Sequence, residues 1–291
     1  MKPLWCVDIP ELYEYYRSHS RAYFHYVMQG LWKNTIVVEE NNNFGYIVQY
    51  LWWLFSIGFF EKSSIQIDKV LLRKYGMKRG IIFWSGWRRS HPEGAWWLHL
   101  GYLISHAYHH STRSAFSVLD APEHTEKWSP NARWHVRKIR KEIDAGIITI
   151  DTTTPLEDFI IAYRKTPVHH KWKRYNIYRQ KYLSEHFPEN IRIYTASIDG
   201  EILAGAIFLD DMPTSTYLIA FQHDRAKSHH LGLALIDRWF RESVLLGYRY
   251  LDFDHMQDTL DPSSYSGYTR FKSELADYEL RFPNLWMRLF F

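Results

Sequence analysis

The sequence predicts an α+β protein of two domains, with helices and short strands alternating most clearly in the second. Three observations carry that expectation. In the second half, segments with helical spacing alternate with short β-branched runs. Asp199-Gly200 joins two of those runs, and Asp-Gly is a strong hairpin pair. A chain of 291 residues, 46% hydrophobic, is long enough for two modest cores. The polar stretch "DAPEHTEKWSPN", with two prolines, marks the boundary, giving domains 1–127 and 128–291 with the last strand free to return to the first.

The elements follow in order. "KNTIVVEE", "GIIFWSGW" and "AWWLHLGYLI" read as strands, and "SIQIDKVLLRKYG" as a strand end or helix stopping at Gly76. The uncharged "FGYIVQYLWWLFSIGFF", residues 44–60, is nearly long enough to span a bilayer. Gln49, Gly45 and Gly58 interrupt it, which favours a buried helix or strand pair over a membrane-facing patch. Ser129, Pro130 and Gly146 bracket a helix as cap, first residue and stop. Its apolar face is Ala132, Val136, Ile139 and Ile143, and another face carries Arg133, Arg137, Arg140 and Lys141. "IITID" is a short strand. Thr154, Pro155 and Glu157 read as a capping box opening the next helix. A basic aromatic helix, the hairpin, the strand "STYLIAFQHD", a long helix from "KSHHLGLA" to Gly247 and the strand "YRYLDFD" come next. A turn, a short helix and a strand close the chain.

Composition narrows the function. A formal charge of +4 suits an anionic substrate without demanding one. The single Cys6 excludes an internal disulfide framework and fits a reducing compartment. The opening "MKPLWCVDIPELYEYY" has acids where a secretory signal needs an apolar core, so a cytoplasmic location is expected, with 44–60 as the route to any contact with the inner membrane. Thirteen Trp and 21 Tyr are more polar-tipped rings than one core absorbs, so many should line grooves.

Four segments together resemble the FemAB-type aminoacyl transferases of the GNAT superfamily. "RWHVRKIRKEIDAGI" is similar to that family's basic helix ending in Gly and a strand. "AYRKT" before a basic aromatic helix is similar to its next element. "YLDFD" is similar to the strand usually ending Asp-Phe-Gly-Gly, with Asp254 and His255 in place of the glycines. "SGYTRFKSELA" is similar to Gly-x-x-x-Phe-Lys-x-x-Phe-Gly, without the final Phe-Gly. The resemblance spans 128–277. It implies a degenerate GNAT-like first domain and a catalytic GNAT-like second domain, each a mixed, mostly antiparallel sheet flanked by helices, and transfer of an aminoacyl group from aminoacyl-tRNA to an amine of a peptidoglycan precursor, with no metal or redox cofactor.

That chemistry needs a neutral attacking amine, an ester carbonyl held about 3–3.5 Å away, and a fixed positive group for the developing oxyanion. Lys272 is the candidate for the last task, with Phe271 packed beside it. The resemblance implies the same pair, which in the family contacts the acceptor end of the tRNA. Asp252 and Asp254 alternate on their strand, so both carboxylates are expected on one side, where one accepts or orients the amine proton. Arg174, Tyr178, Arg179 and Tyr182 lie where the family grips a nucleotide-linked acceptor, arginine suiting phosphate and tyrosine a base or sugar. Arg133, Arg137, Arg140 and Lys141 would track a tRNA backbone.

Two rivals stand beside this reading. An acyl-CoA-dependent N-acetyltransferase would bind acetyl-CoA diphosphate at a helix start, where His229, Gly232 and Ala234 match an Arg/Gln-x-x-Gly-x-Gly/Ala spacing. A degenerate double fold that only binds is the other. His106, His109 and His110, with the pairs at 169–170 and 229–230, lack the carboxylate or cysteine context of a metal site.

Overall fold

The computed structural model describes residues 5–6, 21–23, 35–40, 43–50, 55–60, 65–84, 98–99, 113–121, 123–166, 175–256, 266–282 and 286–291. Two compact units divide the chain: one built on Cys6–Ser114 and Leu280–Phe291, the other on Ala115–Asp254 and Thr269–Glu279. The two-residue strand β1 (Trp5–Cys6) pairs into the second unit's sheet.

The first unit holds a six-stranded sheet. Its members are β2 (Thr35–Glu40), β3 (Asn43–Tyr50), β4 (Phe55–Phe60), β5 (Gly80–Trp84), β6 (Leu98–His99) and β14 (Trp286–Phe290), in the order β2-β3-β4-β5-β14-β6. The apolar stretch 44–60 is thus mainly the antiparallel pair β3–β4. Phe44, Ile47, Val48, Phe59 and Phe60 are buried there, so core packing accounts for their apolarity. Residues 51–54 lie outside the described residues. No helix among the described residues is long and apolar enough to cross a membrane.

Between β4 and β5 comes α1 (Lys69–Lys74), capped by Asp68, whose Oδ1 accepts the Leu71 N–H at 2.7 Å. β4 and β5 then run parallel and stay paired from Ser56↔Gly80 to Phe60↔Trp84. The Phe60 ring lies against the backbone of Gly45 and Gly58, where a Cβ on Gly45 would collide with it. Phe60 joins Val38, Ile47, Leu72, Met77, Ile82 and Phe290 in one core. On the other face, Tyr46, Phe59 and Phe83 stack at 4.7 and 5.2 Å between centroids. β14 pairs antiparallel with β5, so the end of the chain completes the sheet begun by its first half.

The second unit continues with β7 (Arg113–Val118), α2 (Pro130–Asp144), β8 (Thr149–Asp151), α3 (Leu156–Arg164), α4 (Tyr175–His186), β9 (Ile191–Ile198), β10 (Glu201–Asp211), β11 (Thr214–Gln222), α5 (Asp224–Lys227), α6 (Leu231–Leu245), β12 (Tyr250–His255), α7 (Ser266–Leu275) and β13 (Tyr278–Arg281). The sheet order is β1-β13-β7-β12-β11-β10-β9-β8. Helices cover both faces of β10. Ile207 packs with Phe159, Ile160 and Tyr163 of α3. Its neighbour Phe208 stacks on Trp239 of α6 at 4.7 Å. Both sheets are therefore mixed and flanked by helices, as the resemblance implies.

Several details differ from expectation. Ser129 caps α2 as foreseen, its Oγ accepting the Ala132 N–H at 3.1 Å. The capping box at Thr154 does not form. α3 begins one residue later on Pro155, and the Thr154 hydroxyl instead meets that of Thr195 at 2.6 Å. Tertiary hydrogen bonding to β9 wins over a local cap. α6 starts at Leu231, and the one-turn α5 takes the preceding residues. Two strands, not one, follow α7. β7, with no clear turn signal around it, inserts between β13 and β12.

Candidate functional site

The site begins with a fault in the sheet. β10 and β11 keep one register from Ala204↔Gln222 to Ile207↔Ile219, then shift so that Phe208 faces Tyr217. Leu218 is the extra residue of a β-bulge, and bulges bend and twist the strand that carries them. β12 runs parallel to β11 only over Thr214–Thr216 and Tyr250–Asp252. Beyond that register β11 continues to Gln222 and β12 to His255. The bulge thus sits where the parallel register has ended, and beyond it the carboxyl ends of the two strands part. Such a divergence is where ligands enter open sheets.

Asp252 is the last residue of β12 paired with β11 and is fully buried. Its Oδ1 accepts the Asp254 N–H at 2.8 Å. Asp254 has a φ of 68°, in the left-handed region that an aspartate tolerates better than most residues. That backbone interrupts the pleat, so a shared side for the two carboxylates no longer follows from alternation.

α7 brings Lys272 to the same unit. Three contacts anchor the helix and the turn after it: the Ser129 N–H to Glu274 O at 2.8 Å, the Asp277 N–H to Phe116 O at 2.9 Å, and the Val118 N–H to Asp277 Oδ2 at 3.2 Å. Lys272 is only 6% exposed, a rare state for a lysine. Phe271 is half-buried. The ammonium group is therefore inside the protein and not in bulk water.

The start of α6 carries the acyl-CoA candidates. His230 caps it in the left-handed region, φ 51° and ψ 38°. Gly232 touches Gln222: a Cβ there would stand 2.7 Å from Oε1. Ala234 is buried in the core. His229 Nδ1 lies 3.1 Å from Glu142 Oε2 of α2. The rings of His135 and His230 approach to 3.8 Å. Burial first, then the neighbouring positive charges of His135 and Lys138, hold His230 below the ordinary histidine pKa. Sequence reasoning weighed His230 only as half of a histidine pair and passed over His135, because nothing local shows that residues 95 apart share a surface.

The remaining candidates separate. Arg140 forks onto Asp237, with Nε to Oδ2 at 3.0 Å and Nη2 to Oδ1 at 2.7 Å, and reaches Glu123 at 3.2 Å. His124 Nε2 completes the group, 2.8 Å from Asp237 Oδ1. Burial pulls the Asp237 pKa up, but the bonds from His124 and Arg140 hold it below the usual carboxylate range. This ion pair ties α2 to α6, so the guanidinium of Arg140 is engaged in packing. Arg137 stays at the surface, its Nε donating to Arg133 O at 3.2 Å. On α4, Tyr178 is exposed and Tyr182 stacks on His186 at 4.0 Å. Arg179 is half-buried. Arg174 lies outside the described residues, as do His106, His109, His110, His169 and His170. Among the described residues, no group of three or more His, Cys, Asp or Glu could hold a metal ion.

Comparison with known proteins agrees with this geometry. Residues 130–273 match the family model described as an acetyltransferase (GNAT) domain. No curated protein sequence matches the chain significantly. The structure of FemX superposes with a TM-score of 0.63 at 10% identity, covering 88% of each chain. A conserved protein of unknown function from Bacteroides thetaiotaomicron VPI-5482 gives 0.57 at 11% identity, over 88% of this chain and 86% of that one. L-PGS from Bacillus licheniformis gives 0.52 at 12% identity, over 99% of this chain and 94% of that one. At these identities the likeness speaks for fold, and the family model speaks for the domain that holds the parted strands. Residues 130–273 thus match a GNAT acetyltransferase domain, and the chain as a whole has a fold similar to that of FemX.

Proposed function

We propose that this acyltransferase moves an aminoacyl group from aminoacyl-tRNA to an amine of a peptidoglycan precursor. The observation that carries the reading is the nearly buried Lys272, on the helix that follows the parted strand β12. The neutral amine attacks the ester carbonyl carbon. A C–N bond forms, the ester C–O bond breaks, and the ribose hydroxyl leaves with a proton. The amine gives up a proton, for which Asp252 or Asp254 is the acceptor. Lys272 meets the oxyanion of the tetrahedral intermediate, where a fixed donor is worth roughly 3–4 kcal/mol, and Phe271 packs its stem. Tyr178, Arg179, Tyr182 and Arg174 take the nucleotide-linked acceptor. The proposal places the protein in the cytoplasm, where charged tRNA is made.

The acyl-CoA reading has one observation in its favour: a 15-residue helix, α6, starts just past strand β11, with a glycine in its first turn. Against it, Gly232 already serves Gln222 and His229 already meets Glu142. One experiment separates the two. Purified full-length protein is offered charged tRNA or acetyl-CoA, each with muropeptide precursors, and new amides are sought by mass spectrometry. Product from charged tRNA alone is expected; product from acetyl-CoA alone overturns the proposal.

A further inference from the structure

The outward face of α2 carries a large aromatic that the packing does not use. Trp134 is 57% exposed. Arg137, Lys138 and Lys141 stand three, four and seven residues further on, so they share its side of the helix. Arg133 adds a cation at the edge. Among the described residues, Arg133, Arg137 and Lys141 are in no ion pair, and Lys138 reaches only Glu142, at 3.6 Å. Solvation alone explains such cations, but it does not explain an indole set among them.

The indole is also held in place. The His135 ring meets it edge-on, with centroids 4.8 Å apart and planes at 78°. His135 in turn lies 3.8 Å from His230 at the start of α6. The two histidine rings therefore back Trp134 on one side, and the indole remains largely exposed to solvent.

We propose that Trp134 is a stacking platform for an unpaired base at the end of an RNA strand, with Arg137, Lys138 and Lys141 receiving the flanking phosphates. A π-face among cations is what a single-stranded nucleic acid needs, since every base stacks and every linkage is charged. A folded protein partner fits less well, because lysines surround the aromatic where an apolar core is wanted. A duplex offers no free base to the indole. The inference rests on the aminoacyl-tRNA reading for the reason an RNA end comes to this domain, and adds Trp134 to the surface that recognises it.

The test measures binding, not catalysis. Fluorescently labelled deacylated tRNA is titrated with full-length wild-type protein, Trp134→Ala, Trp134→Phe, and the double variant Arg137→Gln/Lys141→Gln, at several salt concentrations. Thermal melting checks that each variant is folded. Trp134→Ala should weaken binding about ten-fold or more, and Trp134→Phe should restore most of it. The double variant should make log affinity less steep against log salt by about 1.4, two phosphate contacts on a single strand. A blunt RNA duplex should compete poorly. If the wild type binds tRNA and Trp134→Ala binds equally well, the platform is overturned and the donor reading stands. If the wild type binds no tRNA, both fall. Equal competition by the duplex, or Trp134-dependent capture of anionic vesicles without tRNA binding, also overturns the platform.

Discussion

Two parallel strand pairs among the described residues are built alike and end differently. In each unit an antiparallel hairpin leads through a connection containing a helix into a strand that runs parallel to the hairpin's last member. β4 and β5 stay paired for five residues, Ser56–Phe60 against Gly80–Trp84. β11 and β12 pair for three residues and then part. Two local features account for the contrast. β11 carries the bulge at Leu218, and no register shift interrupts β3 against β4. Phe60, seated on Gly45 and Gly58, fills the end of β4. One topology thus gives a long pairing when its strands stay in register, and parted strand ends when one extra residue bends a strand beside its neighbour.

The largest test of this contrast is chemical. Lys272→Met keeps most of the side-chain volume and removes the charge. It should slow transfer about 100- to 1000-fold while leaving the melting temperature within a few degrees; an unchanged rate would assign the lysine to packing. Deleting Leu218 restores strict alternation in β11, because Tyr217 and Ile219 already face opposite sides. The deletion should let β12 pair further and lower transfer about 100-fold by displacing the reacting groups. Circular dichroism should stay near wild type, and full activity would mean that the bulge does not part the strands. Phe60→Ala attacks the closed pair. It should cost about 3–5 kcal/mol of unfolding free energy in the first unit, the usual toll for a large buried aromatic, read by denaturant titration; a loss below about 1 kcal/mol would show that Phe60 does not seal the pair.

The smallest expected effect concerns pH. The folded protein holds His230 below its unfolded value of 6.5, so acidification protonates the unfolded chain first. This group should therefore lower stability as pH falls below 6.5 and leave it level above that. His230→Asn should flatten the acid side of the melting profile. A melting temperature that rises on acidification, and does so only with His230 present, would reverse the sign and contradict the packing of His230 against His135.

Much of the second unit was legible because its signals are local. Ser129, Pro130 and Gly146 bounded α2, Asp199-Gly200 closed the β9–β10 hairpin, and the spacing of Phe159, Ile160 and Tyr163 gave α3 its buried face. The cap at Thr154 failed because its hydroxyl found Thr195, forty-one residues away. Arg140 read as a surface cation because Asp237 is ninety-seven residues distant. Lys272 stood out through its stretch, yet its burial could not be read from a helix whose neighbours come from β7 and the start of α2.

The sequence by itself determined most elements of the second unit and the short list from which the site is drawn. Periodicity, caps and turn pairs act over a few residues, and those ranges are written in the chain. The tertiary structure alone decided which parallel pair opens, which cations are spent on buried carboxylates and which aromatic stays outside. Those outcomes depend on contacts between residues tens to hundreds of positions apart, set by how whole surfaces pack, and no window along the chain contains both partners.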